Sequence, residues 1–348
     1  MSKEPASRMK SSIFRILVEG PEQRYRFHDR WLPPYKHTPS MNIMRGLKIM
    51  LPVVSGCLAR GAAMAFGAPP LARAHFQSAT NNLACADVHL VPMFNDNYGL
   101  ILVDRVTNKA AFIDPGESGP MIKAGKDLGS KFEMALITHK HGDHSGGNAA
   151  VKEAFPDIKI IATGYESIQY ANQEVRDGDS IILGSLKIDV IHTPCHTKGH
   201  VVYYVSSNGP NTDKNSNAPI LFSGDTLFVG GCGRFFEGTP EEMLNNMDRL
   251  GKLPHETQVY CAHEYTLENL KFLATIDPYG SATSKMLNEV TDKRKAEVST
   301  VPTTIGRELE YNLFIKCREE ATQSLVDRKS PVETMARLRE LKNQFRSV

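Results

Sequence analysis

The chain has 348 residues, with 41 basic and 39 acidic side chains and a formal net charge of +2. This near-neutral balance gives no reason to expect nucleic-acid binding, and an apolar content of 41% is enough for a sizeable core. The six cysteines show no regular spacing, which argues against a secreted scaffold held by disulfides.

Residues 1–84 are predicted to be an N-terminal extension. No Asp or Glu occurs between Arg30 and Ala86, and scattered basic residues stand among Ala, Gly, Met and Leu. This composition is typical of a mitochondrial presequence, which predicts the mitochondrial matrix, with a disordered tail and the cytoplasm as alternatives. Residues 1–40 do contain acidic side chains, which presequences normally avoid. No apolar run here is long enough to span a membrane.

Residues 85–262 are predicted to form a catalytic α/β domain, because short apolar runs alternate with helical patterns there. The predicted strands cover residues 88–92, 100–104, 110–113, 134–137, 158–161, 180–191, 201–205, 220–222 and 258–261. Helices are predicted after residue 147 and at 241–250. Residues 263–348 are predicted to be mostly helical, and the last helix carries its apolar stripe on Val332, Met335, Leu338 and Leu341.

The segment THKHGDHSGG at residues 138–147 follows the strand at 134–137 directly. His139 and His141 lie two residues apart on extended chain, so they project on the same side and can bind one metal ion. Asp143 and His144 follow as the chain turns, and can reach a second ion. Buried imidazoles and carboxylates all need polar partners. A metal site is therefore favoured over the alternative, an exposed charged turn.

Three later apolar stretches each end at a residue that can bind metal, namely His196, Asp225 and His263. Each of them alone would more often be a structural histidine or a capping aspartate. Together with the first cluster, they supply the further ligands that a site for two metals requires. His192 and His200 flank His196, and we expect His200 to orient that loop or a neighbouring ligand.

These motifs resemble the metallo-β-lactamase superfamily: His-x-His-x-Asp-His, then a His, a Gly-Asp-Thr and a final Ala-His-Glu-Tyr. Residues 223–238 (SGDTLFVGGCGRFFEG) and 94–98 (FNDNY) more narrowly resemble glyoxalase II, the hydroxyacylglutathione hydrolase family. The resemblance runs from about residue 88 to the C-terminus. It implies an αβ/βα sandwich with a C-terminal helical region that binds glutathione. It also implies two divalent ions, one held by His139, His141 and His196 and one by Asp143, His144 and His263, with Asp225 bridging both.

Seven nitrogen and oxygen ligands favour zinc, with iron or manganese as alternatives. A water molecule between two such ions loses a proton near neutral pH and becomes a nucleophile, so Asp143 and Asp225 would act in catalysis as ligands. One ion would also polarise the substrate carbonyl. A thioester suits this chemistry, because a thiol with a pKa of about 8–9 departs without a strong acid. The resemblance implies hydrolysis of S-D-lactoylglutathione and other S-2-hydroxyacylglutathiones to glutathione and D-lactate, the second step of methylglyoxal detoxification.

The C-terminal region indicates the substrate. By resemblance, Arg339 and Lys342 match a basic pair that binds the glycine carboxylate of glutathione, and Arg234 and Tyr265 match two further glutathione contacts. Phe236 departs from the pattern, since family members usually carry a tyrosine there, and this removes a hydrogen bond worth about 0.5–1.5 kcal/mol. Such a small-molecule hydrolase is expected to be a monomer.

Other readings remain open at this point. A persulfide dioxygenase-like iron enzyme has the same fold, but that relative lacks the long basic C-terminal region. β-Lactamase-like, nuclease and non-catalytic metal-binding members are further alternatives. Cys195, Cys232 and Cys261 lie beside the ligands, but we expect them to be small hydrophobic residues rather than nucleophiles.

Overall fold

The computed structural model describes residues 77–79, 85–208 and 218–346. Apart from the strand at 77–79, the predicted N-terminal extension and its targeting segment lie outside the described residues. Within the described ranges, no helix has both the length and the apolar character needed to cross a membrane.

The first sheet has seven strands, which are hydrogen-bonded in the order of the sequence. Its first four strands form an antiparallel meander, and the last four run parallel to one another. The strands are β1 (Gln77–Ala79), β2 (Ala86–Met93), β3 (Asn97–Asp104), β4 (Lys109–Ile113), β5 (Lys131–Ile137), β6 (Lys159–Thr163) and β7 (Gln173–Val175).

The second sheet has six strands in the order β15-β14-β11-β10-β9-β8. Only β11 and β14 are parallel neighbours. The strands are β8 (Ser180–Leu183), β9 (Leu186–His192), β10 (Val201–Ser207), β11 (Ile220–Gly224), β14 (Gln258–Cys261) and β15 (Thr303–Thr304). A separate two-stranded hairpin consists of β12 (Leu227–Phe228) and β13 (Gly231–Cys232).

Nine helices are described. Two early ones pack on the first sheet, and five lie in the predicted C-terminal helical region. They are α1 (Ser118–Leu128), α2 (Gly142–Ser145), α3 (Asn148–Ala154), α4 (Pro240–Leu250), α5 (Thr266–Ile276), α6 (Ser281–Lys295), α7 (Ile305–Tyr311), α8 (Glu320–Leu325) and α9 (Pro331–Gln344). A complete capping box defines the start of α4, since Thr239 and Glu242 bond each other's backbone N–H groups.

The core follows the two-residue period of the strands. In β5, Met134 and Leu136 join the cluster that the first sheet shares with the second, while Ala135 and Ile137 face the cluster formed with α1 and α3. Both faces of the first sheet are therefore covered, which confirms the predicted αβ/βα sandwich. In α9, Met335 and Leu338 are fully buried as predicted, but Val332 remains 37% exposed.

The ends of these strands bring the polar residues together. Strands β5, β11 and β14 end just before the predicted ligands, at the edge where α/β layered proteins usually bind ligands. Gly224 turns the chain out of β11 with φ of 48°, and a Cβ there would lie 2.7 Å from Thr138 Oγ1 and 2.8 Å from His200 Nε2. A glycine is therefore needed for Asp225 to approach the loop after β5.

Candidate metal centre and adjoining cavity

The structure gathers His139, His141 and His196 into one group. His141 Nδ1 lies 3.0 Å from His139 Nε2 and 3.0 Å from His196 Nε2. The three nitrogens come from two loops, one after β5 and one between β9 and β10. Three imidazole nitrogens that point at one another form a typical nitrogen site for a divalent ion.

A second group contains Asp143, His144 and His263. Asp143 Oδ2 lies 3.5 Å from the Nε2 atoms of both histidines. Asp225 stands between the groups: its Oδ1 lies 3.4 Å from His263 Nε2 and 3.5 Å from His144 Nε2, and its Oδ2 lies 3.4 Å from His196 Nε2. One carboxylate therefore turns one oxygen to each group, as a bridging ligand would.

Hydrogen bonds behind the histidines determine which nitrogen faces the cluster. Asp114, at the end of β4, accepts the N–H of Thr138 at 2.7 Å and its hydroxyl at 2.6 Å, and also accepts His144 Nδ1–H at 2.9 Å. Because the Thr138 hydroxyl donates to Asp114, its oxygen can accept His139 Nδ1–H at 3.1 Å. In both histidines Nδ1 is thus committed to donating, so Nε2 is the nitrogen that faces the cluster.

His263 and His196 have the same arrangement, in which Nδ1 donates and Nε2 faces the cluster. His263 Nδ1–H donates to Asp96 Oδ1 at 3.1 Å, and His196 Nδ1–H donates to the carbonyl of Arg234 at 3.0 Å. Asn97 also donates its side-chain N–H to Asp143 Oδ2 at 2.9 Å. The ligand atoms are held in position before any ion binds.

His200 is fully buried, and its role differs from that of its neighbours. Its Nε2 accepts the backbone N–H of Asp225 at 3.0 Å, and its Nδ1 lies 3.0 Å from the hydroxyls of Thr193 and Thr226. Burial lowers the pKa of His200 well below its ordinary value, so the ring is neutral. His200 therefore bonds the turn that carries Asp225, which agrees with the expectation that it orients a neighbouring ligand.

The residues present fit a divalent ion. Two buried polar atoms of the cluster, His144 Nε2 and Asp225 Oδ1, have no hydrogen-bond partner among the described residues, although they lie 3.5 Å apart. Burial lowers the pKa of His139 far enough to keep it neutral. Burial also opposes the charged form of His263, but the carboxylates of Asp225 and Asp96 outweigh it and raise its pKa to about 9. The buried carboxylate of Asp225 thus favours a positive charge beside it, which a divalent cation would supply.

A cavity of about 800 Å³ adjoins the cluster. It is lined by ligand-group members, among them His141 and Asp225, and by all four residues predicted to contact substrate: Arg234, Tyr265, Arg339 and Lys342. The Tyr265 ring stacks on His263 with 4.6 Å between centroids. Phe236 is 57% exposed at the same cavity and meets the His196 ring edge to face at 5.1 Å.

Arg339 and Lys342, the two cations of α9 that line the cavity, are only partly available to a ligand. Arg339 donates from Nη1 to the carbonyl of Cys232 at 3.0 Å and from Nε to Asn343 at 2.9 Å. Lys342 donates to the carbonyl of Glu268 at 3.1 Å. Burial lowers the pKa of Lys342 to about 8, and the charge of Arg339 acts in the same direction. A carboxylate that enters the cavity would give both cations charged hydrogen-bond partners in place of the water they lost on burial.

The cysteines beside the ligands are buried. Burial raises the pKa of Cys232 to about 11 and of Cys261 to about 12, and it raises that of Cys195 as well. Thiols held in the protonated form are poor nucleophiles. This agrees with the expectation that they act as small hydrophobic residues.

Apart from His200, the residues that orient the ligands were not identified from the sequence. Asp114 ends an apolar strand in the same manner as Asp225, so that signal was present in the sequence. Asp96 and Asn97 belong to the FNDNY segment but received no role. Nothing in the sequence marked Arg346, a further cation that lines the cavity.

Comparisons with known proteins match residues 97–345, which contain all seven candidate ligands. Residues 97–263 match the metallo-beta-lactamase superfamily, and residues 264–345 match the family described as the hydroxyacylglutathione hydrolase C-terminus. The cytoplasmic hydroxyacylglutathione hydrolase of Arabidopsis thaliana is 40% identical over 258 residues, which are 74% of this chain and 98% of that protein. A hydroxyacylglutathione hydrolase of Gloeobacter violaceus is 39% identical over 260 residues, 74% of this chain and 99% of that protein.

Among solved structures, a metallo-beta-lactamase from Staphylococcus aureus subsp. aureus COL aligns with 77% of this chain and 72% of its own. The sequence identity is 21% and the TM-score 0.47.

Proposed function

This chain belongs to the hydroxyacylglutathione hydrolase (glyoxalase II) family of the metallo-β-lactamase superfamily, and we propose that its His/Asp cluster binds two zinc ions for hydrolysis of S-D-lactoylglutathione. The chain is a metal-dependent thioester hydrolase. The substrate is a glutathione thioester, and the products are glutathione and a hydroxy acid such as D-lactate.

One observation carries the proposal: Arg339 and Lys342 of α9 line the same cavity as five of the seven candidate ligands, which are His141, Asp143, His196, Asp225 and His263. His139, His141 and His196 would hold one ion, and Asp143, His144 and His263 the other. Asp225 would bridge them, because its two oxygens face the two groups. Nitrogen and oxygen ligands without a thiolate suit zinc, iron or manganese.

When bound, such ions lower the pKa of a water ligand and polarise a carbonyl. The chain's own residues position the substrate for that chemistry. Arg339 and Lys342 would bind a carboxylate of the glutathione peptide, and Arg234 and Tyr265 would contact its remaining polar groups. Because the thiolate leaves without a strong acid, no protonated side chain is needed beside the sulfur.

Purified protein tests this assignment directly. Metal content would be measured first, and loss of the thioester's ultraviolet absorbance would then be followed with S-D-lactoylglutathione. We expect about two zinc ions per chain, and hydrolysis that a chelator abolishes and zinc restores. A single bound iron without hydrolysis would contradict the proposal.

We further propose that the N-terminal extension directs the protein to the mitochondrial matrix and that the enzyme is a monomer. The acid-free composition of residues 30–86 supports the first proposal. The second is supported by the predicted ligands and the predicted substrate contacts, which meet within a single folded chain. Imaging of residues 1–84 fused to a fluorescent protein tests the address, and a diffuse cytoplasmic signal would refute it. Sedimentation of active enzyme tests the oligomeric state.

A further inference from the structure

Glu166 lies on the loop that follows β6, and its side chain is only 5% exposed. It lines no part of the cavity described above, and it is not a ligand-group member. A buried carboxylate at such a position requires several hydrogen-bond donors. The donors come from the two loops that carry the first ligand group.

The first loop is held between two of its ligands. Glu166 Oε1 accepts the backbone N–H of Lys140, which separates His139 from His141, at 2.8 Å. The Lys140 ammonium lies 3.7 Å from Glu166 Oε2. This carboxylate therefore bonds the backbone at the residue whose conformation determines where both imidazoles point.

The second loop is held directly after its ligand. The hydroxyl of Thr197, the residue after His196, donates to Glu166 Oε1 at 3.1 Å, and the N–H of Gly199 donates to Oε2 at 3.1 Å. The approach is close, since a Cβ on Gly199 would lie 2.4 Å from Glu166 Cγ. One carboxylate thus joins the two loops that supply His139, His141 and His196.

Glu237 repeats this arrangement at the surface. Its Oε1 pairs with the Lys140 ammonium at 2.6 Å, and its Oε2 accepts the backbone N–H of Lys198 at 2.8 Å. Lys140 is therefore held by two carboxylates that each also bond the 197–199 segment. In the second ligand group, by contrast, Asp114 orients His144 and Asp96 orients His263, and Asp114 also reaches His139 through Thr138.

We propose that Glu166 is a positioning residue that sets the affinity of the first metal site, formed by His139, His141 and His196, with little effect on the second. The inference rests on the proposed two-metal centre. Groups that orient metal ligands typically contribute about 10–100-fold in metal affinity. That loss should fall on one of the two ions.

The test is zinc binding to metal-free protein, measured by competition with a chromophoric chelator. In Glu166→Ala, the zinc affinity of one of the two sites should be about 10–100-fold lower than in the wild type. In a His263→Ala background, where the first group is intact, Glu166→Ala should weaken the remaining ion by the same factor. In a His139→Ala background, where the second group is intact, it should change the remaining affinity less than about twofold, because residues without shared partners act additively.

Asp104→Ala is the matched control. Asp104 is likewise a buried carboxylate that joins two segments of chain through backbone N–H groups, those of Val106 at 3.1 Å and Ser185 at 2.8 Å, but neither segment carries a candidate ligand. Its zinc affinities should equal those of the wild type. Circular dichroism of the metal-free proteins reports folding. If Glu166→Ala does not fold, Glu166→Gln takes its place, since its carbonyl oxygen can still accept Lys140 N–H while its amide faces Gly199 N–H, and a smaller loss at the same site is expected.

Wild-type affinity for both ions in the Glu166 variants would overturn the inference. So would equal weakening in the two histidine backgrounds, because that would mean a general structural role. These outcomes are separate from failure of the proposed function, which would appear as wild-type protein that binds fewer than two ions.

Discussion

Asp225 has the most demanding environment of any single residue at the site. It is 6% exposed, its two oxygens face different histidine groups, and burial opposes its charge while His263 and His144 lower its pKa well below the ordinary value. Its backbone is held separately by His200. The backbone position of Asp225 and the ionised state of its carboxyl group thus depend on different contacts, so each can be tested separately.

We expect Asp225→Asn to remove activity without unfolding the protein. The amide keeps the shape and one oxygen, but it loses the charge and turns an N–H₂ group toward one histidine group. Since changing a residue that merely orients a ligand costs about 10–100-fold, kcat/KM should fall by more than that range. Metal analysis should find fewer than two ions per chain. A variant with near-wild-type turnover would refute the bridging role.

Lys342 predicts a pH dependence of substrate binding. With a pKa of about 8 in the free enzyme, its ammonium is present below that pH and is lost as the pH rises through it. If the ammonium binds a substrate carboxylate, 1/KM should decrease above about pH 8. Lys342→Arg keeps its charge throughout this range, so the decrease should disappear. KM measured from pH 6.5 to 9.5 in both proteins checks this, and identical profiles would contradict it.

The ligands could be predicted from sequence because they cluster or end apolar strands, and such patterns are local. Apart from His200, the residues that orient them could not be predicted. Glu166 contacts Lys140 and Gly199 across separations of 26 and 33 residues, on an ordinary polar loop. Asp114 reaches His144 across 30 residues. Such pairs exist only once the strands have docked, so composition and spacing contain little trace of them.

At the scale of elements, α9 is the helix that we propose binds the glutathione part of the substrate. Arg339 and Lys342 line the cavity, whereas Arg337 lies on another face and pairs with Glu340 at 2.7 Å. Met335 and Leu338 anchor the helix from the buried side. The periodic stripe predicted this orientation, although the exposure of Val332 shows that the first turn lies outside the core.

Lys342→Ala should raise KM about tenfold, because a hydrogen bond to a charged group contributes about 1.5 kcal/mol or more. The value of kcat should change less, since the contact is present equally in the ground and transition states. Arg337→Ala removes a cation from the same helix but not from the cavity, and it should leave both constants unchanged. Steady-state kinetics on the two variants decide the matter; a higher KM in both would indicate a general charge effect.

For the whole molecule, the important feature is that neither sheet contains the site alone. The loop after β5 of the first sheet provides His139, His141, Asp143 and His144, and the second sheet provides His196, Asp225 and His263. Each half presents an incomplete ligand set. The core between the two sheets packs only when the sheets dock, and the same docking completes the candidate metal site.

Metal removal should accordingly lower the thermal stability of the whole domain. An ion that binds only the folded state at 100 times its dissociation constant stabilises it by about 2.7 kcal/mol, and about 1 kcal/mol shifts Tm by roughly 2–4 °C in a domain of this size. We therefore expect Tm to fall by about 5–10 °C per ion in excess chelator and to recover when zinc is added. The double variant His139→Ala/His263→Ala provides the control, because it lacks a ligand from each group and should melt at one temperature with or without zinc. If wild-type protein kept its Tm after complete loss of bound metal, the ions would not be joining the two sheets.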